Sequence, residues 1–248
     1  MKTMRDKLNT LENYEKGINF WEYAIKRWQV GIDELLEDER CGIQRNRLTN
    51  AEVIRNKKNS ISKNYYEIFK IMYSAGYPIF DVRKSFLNYL ETKGLVLNGH
   101  IHYLDDLDII SVGILLDIDA ETMAPFIENI KQVDYQDYLM DFLIRYYRPD
   151  WPQHEEIRFK RPYTHAKAII EAENQEKALG ALRNYVFSKW YPGSNDAPWY
   201  NSHKSKNPAF HVGYWSFEAG AIAKILNLDD SSLEGQQYYP YDMVHWKG

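Results

Sequence analysis

One cysteine, Cys41, stands alone in 248 residues, which excludes an internal disulfide and fits a reducing compartment. No stretch approaches the roughly 18–20 consecutive apolar residues that a membrane span requires. The opening residues, MKTMRDKLNT, are polar where a signal peptide needs a continuous apolar run. The expectation is a soluble chain that stays in the cytoplasm. Familiar catalytic signatures are missing as well: there is no phosphate-cradling glycine loop, dinucleotide fingerprint, nucleophile elbow or paired CxxC. Period-two alternation, the mark of half-buried strands, is absent, as are internal repeats and low-complexity tracts.

What is present is helical. Hydrophobic content of 44% with 27% charged residues is ordinary for a globular protein long enough to build one large core or two packed halves. The 20 tyrosines add amphipathic packing surface, because each can bury its ring and keep its hydroxyl wet. Leu11, Tyr14, Ile18, Trp21, Ile25, Trp28, Ile32 and Leu35 recur in alternating steps of three and four, one narrow helical seam. Thr49 and Glu52 form a capping-box pattern, and Ile54, Ile61, Tyr65, Ile68 and Met72 then run toward Gly76 and Pro78. Residues 4–39 and 50–75 are therefore expected as a long antiparallel hairpin.

Shorter helices are expected over Ile79–Leu90, Leu104–Leu116, from an Asp119 N-cap to Ile130, and over Asp134–Tyr146. Another should run from Pro162 past Ala181. Trp190–Gly213, rich in proline and glycine, reads as a long ordered loop. Tyr214–Leu226 is apolar almost all round, a buried central helix, and Ser231 with Glu234 suggests a last capping box. The fold class is all-α, with domains at 1–131 and 132–248.

Candidate chemistry is sparse. His100 and His102 precede Asp105, Asp106 and Asp108, residue types that suit a divalent cation. Two histidines two residues apart do not share a helical face, so a solvated surface accounts for them better. The same aspartates resemble the magnesium-binding helices of all-α terpenoid synthases, yet the second motif of such a site is missing. His154-Glu155 has no further histidine to complete a zinc motif, and Cys41 has no evident base. Glu218, the lone acid in the 214–226 helix, needs a buried partner. No catalytic residue, metal ligand set or cofactor site is assigned.

Charge is distributed unevenly. Tyr103–Ile144 holds ten acids against Lys131 alone, a net −9, whereas Arg40–Lys70 holds eight bases against two acids. Asp134, Asp137 and Asp141 repeat at three and four, and Asp105 and Asp108 at three, which places each set on one helical face. Asp105, Asp106, Asp108, Asp134, Asp137 and Asp141 are thus the candidate partner-binding residues, facing a cationic protein.

The C-terminal third carries a recognisable pattern. Gly213-Tyr214-Trp215-Ser216-Phe217-Glu218-Ala219 runs on to Asn227-Leu228-Asp229-Asp230 and ends in Tyr238-Tyr239-Pro240-Tyr241-Asp242. This resembles the C-terminal domain of the PoNi immunity family, with Asn227 where that family often has glycine. Arg55 and the stretch from Tyr65-Tyr66 to Tyr73-Ser74-Ala75-Gly76 resemble its N-terminal helical domain. Trp215, Glu218, Tyr239, Pro240 and Asp242 would be its structural signature. The resemblance implies a cytoplasmic bacterial immunity protein, not an enzyme, that binds and neutralises a PoNe-type DNase toxin without touching nucleic acid or membrane. The alternatives from other classes are an all-α metal-dependent enzyme built on Asp105–Asp108 and a nucleic-acid binder built on residues 40–70.

Overall fold

A computed structural model describes residues 3–99, 102–207 and 210–247. Among them all regular structure is helical. His100, named above, and residues 208–209 of the expected loop lie outside the described residues. By internal contact the chain forms two compact units, Met1–Leu97 with Asn201–Gly213, and Asn98–Tyr200 with Tyr214–Gly248. A cut at 131/132 falls in the last turn of the helix Ala120–Val133.

Unit 1 is built on the hairpin. Helix α1 (Leu11–Arg40) starts at the first residue of the seam and not at residue 4 as expected, because Thr10 is extended and its side chain caps the Asn13 N–H at 3.2 Å. The residues before it are irregular. They are pinned instead by the Arg5 guanidinium, which donates to the carbonyls of Tyr73 and Tyr77, both at 2.9 Å. Helix α2 (Asn50–Ser74) opens on the expected capping box, Thr49 N–H donating to Glu52 Oε2 at 2.8 Å. Tyr14 clusters with Ile71 and Ala75, while Lys57 lies 5.0 Å from the ring of Trp28, so the two helices run antiparallel. Tyr14, Ile32 and Leu35 are buried, but Trp28 is 37% exposed. The seam is therefore sealed near its ends, with a long lysine side chain covering part of its middle. Helix α3 (Ile79–Gly94) packs on α2 through Phe69–Phe86 and Tyr66–Tyr89 ring pairs, 5.0 and 4.9 Å apart.

The segment 201–213 returns to this unit. Ser74 Oγ donates to the Val212 carbonyl at 2.6 Å, and His211 Nε2 meets Asp6 Oδ2 at 2.8 Å. Tyr14 also donates to the Asp6 carboxylate. Residues 205 positions apart are thus tied in a buried polar knot.

Unit 2 centres on α4 (Tyr103–Leu115) and α10 (Phe217–Ile225), which pack against each other and are buried on nearly every side. Between them come α5 (Ala120–Val133), capped by Asp119 as expected, α6 (Tyr138–Ile144), α7 (Lys160–Ile170) and α8 (Gln175–Asn184). Asn174 caps α8, which splits the single helix expected beyond Pro162 into two. A π-helical turn at Tyr185–Lys189 continues α8 into α9 (Trp190–Gly193), so part of the expected loop is helical. Ser231–Leu233 forms only a 3₁₀ turn, and α11 (Tyr241–Val244) closes the chain.

The helix expected over Asp134–Tyr146 is corrected. Asp134 is left-handed (φ 51°, ψ 66°) and ends α5, Gln136 also has positive φ (50°), and Asp137 caps α6. Two left-handed residues so close cannot lie inside a right-handed helix. The spacing of 134, 137 and 141 imitates a helical face that does not exist.

Candidate functional site

The six aspartates separate into two groups. Asp134 is exposed and Asp105 and Asp108 are half-buried. Asp106, Asp137 and Asp141 are buried, which corrects the expectation that all six lie on outward faces. Burial of a carboxylate demands hydrogen-bond donors, and each buried one has them. Asp137 Oδ1 accepts from the Met140 N–H at 2.9 Å and the Tyr103 hydroxyl at 3.0 Å, and Oδ2 accepts from the Arg158 N–H at 2.7 Å. Asp106 accepts from Tyr135 at 2.6 Å, and the same hydroxyl oxygen accepts from the His102 N–H at 3.0 Å. Asp141 accepts from the Trp151 indole at 2.9 Å and the His154 backbone at 2.9 Å, and touches His154 Nδ1 at 2.7 Å. These three fasten the chain reversal at 134–137 and the 151–158 segment onto α4 and α6.

The same stretch of chain carries further acids at the surface: Asp117, Asp119, Glu121 and Glu128 are exposed, as Asp134 is. Counted by compact unit, Lys and Arg number 12 against 22 Asp and Glu in unit 2, a net −10. Unit 1 has 19 against 13, a net +6. Fold and charge divide the chain along the same lines.

A cavity of about 440 Å³ opens in unit 2 between the start of α4, the Phe159–Tyr163 stretch and Ser194–Trp199. Tyr103 stacks on Phe159 at 4.0 Å and meets Tyr163 edge-on at 5.7 Å. Asp105 and Asp196 line it with Arg161, whose guanidinium is 3.4 Å from Asp196. Sequence reasoning found Asp105 but not the cavity, because its walls come from three distant segments. The proline-rich stretch after Trp190 was the only signal, and its tryptophan, Trp199, stacks on Trp190 at 5.2 Å.

The structure places the other candidate residues as follows. Among the described residues no group of three or more His, Cys, Asp or Glu is placed to hold a metal ion. In the basic stretch, Arg45 makes two 2.7 Å bonds to Asp38, Arg40 pairs with Glu37, and Lys57 and Lys70 lie over Trp28 and Tyr66. Arg55, Lys58 and Lys63 are exposed. No described helix is long and apolar enough to cross a membrane.

A family model described as PoNe immunity protein (PoNi), N-terminal, matches residues 5–127, and one described as PoNe immunity proteins (PoNi), C-terminal, matches residues 135–243. The chain belongs to the PoNi family. In this PoNi chain Trp215, Glu218, Tyr239 and Pro240 are buried, whereas Asp242 is exposed in α11. Glu218 Oε1 accepts from Ser216 Oγ at 2.6 Å and from the Tyr185 hydroxyl at 2.7 Å. Burial raises its pKa above the ordinary carboxylate value against the lowering effect of those bonds. No curated protein matches this PoNi chain by sequence. Its fold is similar to that in the crystal structure of protein PA2201 from Pseudomonas aeruginosa, with a TM-score of 0.71 and 18% identity over 98% of this chain and 90% of that one.

Proposed function

We propose that this chain binds a cognate PoNe-type nuclease toxin in the cytoplasm and neutralises it through the acidic surface of unit 2. The carrying observation is the charge of −10 gathered on that unit, of which 17 acids against 12 Lys and Arg, a net −5, lie at the surface. A nuclease must present cationic groups to phosphates, and a helical surface rich in carboxylates complements such a cleft, steers association and excludes the nucleic acid. Asp105, Asp108 and Asp134 are assigned to contact. Asp106, Asp137 and Asp141 are assigned to the frame that holds them. Inhibition of this kind needs no catalytic group or cofactor.

The test is to sequence the genes beside this one for a PoNe-type nuclease and to co-express that nuclease with this chain. Wild type is expected to protect the cells and to co-purify with the toxin. The folded combination Asp105→Asn, Asp108→Asn and Asp134→Asn is expected to protect poorly. A wild-type chain that neither binds nor protects refutes the immunity reading; full protection by the triple variant removes the acidic surface from it.

A further inference from the structure

The cavity of about 440 Å³ in unit 2 is large enough for a long side chain and combines two features. Phe159, Tyr163 and Trp199 give it aromatic walls, and Asp105 and Asp196 give it carboxylates. Aromatic faces attract cations through their quadrupole, and carboxylates attract them by charge and by hydrogen bonding. Among the described residues that line it, two carboxylates face one guanidinium, that of Arg161. Arg161 and Asp196 are both well exposed, so their pairing at 3.4 Å is weakly held and open to competition.

We propose that this cavity is the anchor site into which a lysine or arginine side chain of the toxin inserts. The proposal rests on the immunity reading above and deepens it by naming the group recognised. The carboxylates act in the right direction here. The Tyr163 phenol ionises well above its ordinary range, first because it is buried and then because Glu218, Asp108, Asp137 and Asp196 oppose a further negative charge there. Burial opposes a cation as much as a phenolate, so it is the carboxylates' share alone that favours a cation. Central pockets that bury an arginine are where binding energy concentrates at interfaces. The acidic surface then steers the toxin in, and the cavity holds it.

Two measurements test this. In the first, Nα-acetyl-arginine amide, its neutral isostere Nα-acetyl-citrulline amide and Nα-acetyl-glutamate amide are titrated into ¹⁵N-labelled protein. The Trp199 indole signal, assigned with Trp199→Phe, is followed. The arginine probe is expected to shift that signal saturably and to bind about tenfold more tightly than citrulline. Equal binding of the two, tighter binding of the glutamate probe, or no saturable shift overturns the proposal. In the second, toxin affinity is measured for Ala197→Trp, which fills the cavity, Asp105→Asn, which removes a carboxylate, and Glu15→Gln, an exposed acid of unit 1. Melting curves establish that each variant folds. Ala197→Trp is expected to weaken binding about 30-fold or more and Asp105→Asn about fivefold, with Glu15→Gln within about threefold of wild type. A folded Ala197→Trp that binds like wild type overturns the anchor while leaving the immunity reading intact. Absence of toxin binding by wild type overturns the immunity reading and the toxin's part in this one, and the small probes still decide whether the cavity prefers cations.

Discussion

Asp137 holds three donors from three places in the chain: the first turn of α6, the Tyr103 ring and the Arg158 backbone. Removing it strands them in a site with no exposure. Asp137→Ala is expected to destabilise by about 2 kcal/mol or more, combining a lost N-cap with unmet buried donors. Asp134→Asn is the contrast: the residue is exposed and asparagine tolerates the left-handed conformation, so a change within about 0.5 kcal/mol is expected. Urea unfolding of both variants checks this, and equal effects would show that the two roles are misassigned. Glu218 gives a pH-dependent counterpart. Its folded pKa is raised by burial, so the unfolded chain releases this proton first and the site favours folding most below the ordinary carboxylate pKa. That contribution is lost as pH rises from about 4.5 through the raised value. Glu218→Gln keeps an acceptor for Ser216 and Tyr185 but removes the titration. The stability of wild type relative to this variant is therefore expected to fall between acid and neutral pH, as denaturant midpoints at several pH values would show. A difference independent of pH contradicts the assignment.

At the scale of elements, α10 is the part most constrained by close approach. A Cβ on Gly220 would lie 2.6 Å from Pro240 Cγ, 3.1 Å from Val244 Cγ2 and 3.3 Å from Leu115 Cδ2. Gly220→Leu overpacks the contact of α10 with α4 and α11, at roughly 1–3 kcal/mol or more, a fall in melting temperature of about 2–12 °C. A calorimetric Tm equal to wild type would show that α10 can shift without loss. This helix was legible in the sequence because small and apolar residues on all sides leave no solvent face. The hairpin was legible through its three-four seam and the Thr49–Glu52 box. The candidate site was harder to read, for a physical reason. A capping aspartate and a solvated aspartate are the same letter, and the donors that bury Asp106, Asp137 and Asp141 include tyrosines and a tryptophan up to 34 positions away. Spacing alone therefore assigned to one face three residues that α5, a reversal and α6 hold apart. The cavity was invisible for the same reason: Asp105, Arg161 and Trp199 meet only after folding.

For the whole molecule, the division of charge between the units sets how a partner approaches. With five of its 22 acids buried, unit 2 keeps 17 against 12 Lys and Arg at its surface, a net −5 that attracts a cationic protein over distances comparable to the Debye length, about 8 Å at physiological ionic strength. Such attraction acts before contact, so it appears in the association rate, whereas a side chain seated in a cavity resists departure and appears in the dissociation rate. The triple change of Asp105, Asp108 and Asp134 to asparagine takes unit 2 from −10 to −7 without touching the buried carboxylates. Its association rate with the toxin is expected to fall about three- to tenfold at low salt, and the gap to wild type should narrow as added salt screens both. Part of the loss should also appear in dissociation, because Asp105 lines the cavity. Ala197→Trp should behave in the opposite way, associating almost normally and dissociating faster at every salt concentration. Stopped-flow mixing with a labelled toxin over a series of salt concentrations separates the two. If the triple variant associates as fast as wild type throughout the series, the acidic surface has no part in steering. A partner that nevertheless binds tightly would then have to be recognised elsewhere, and the half-covered seam of α1 in unit 1, where Trp28 remains 37% exposed, would be the next surface to mutate.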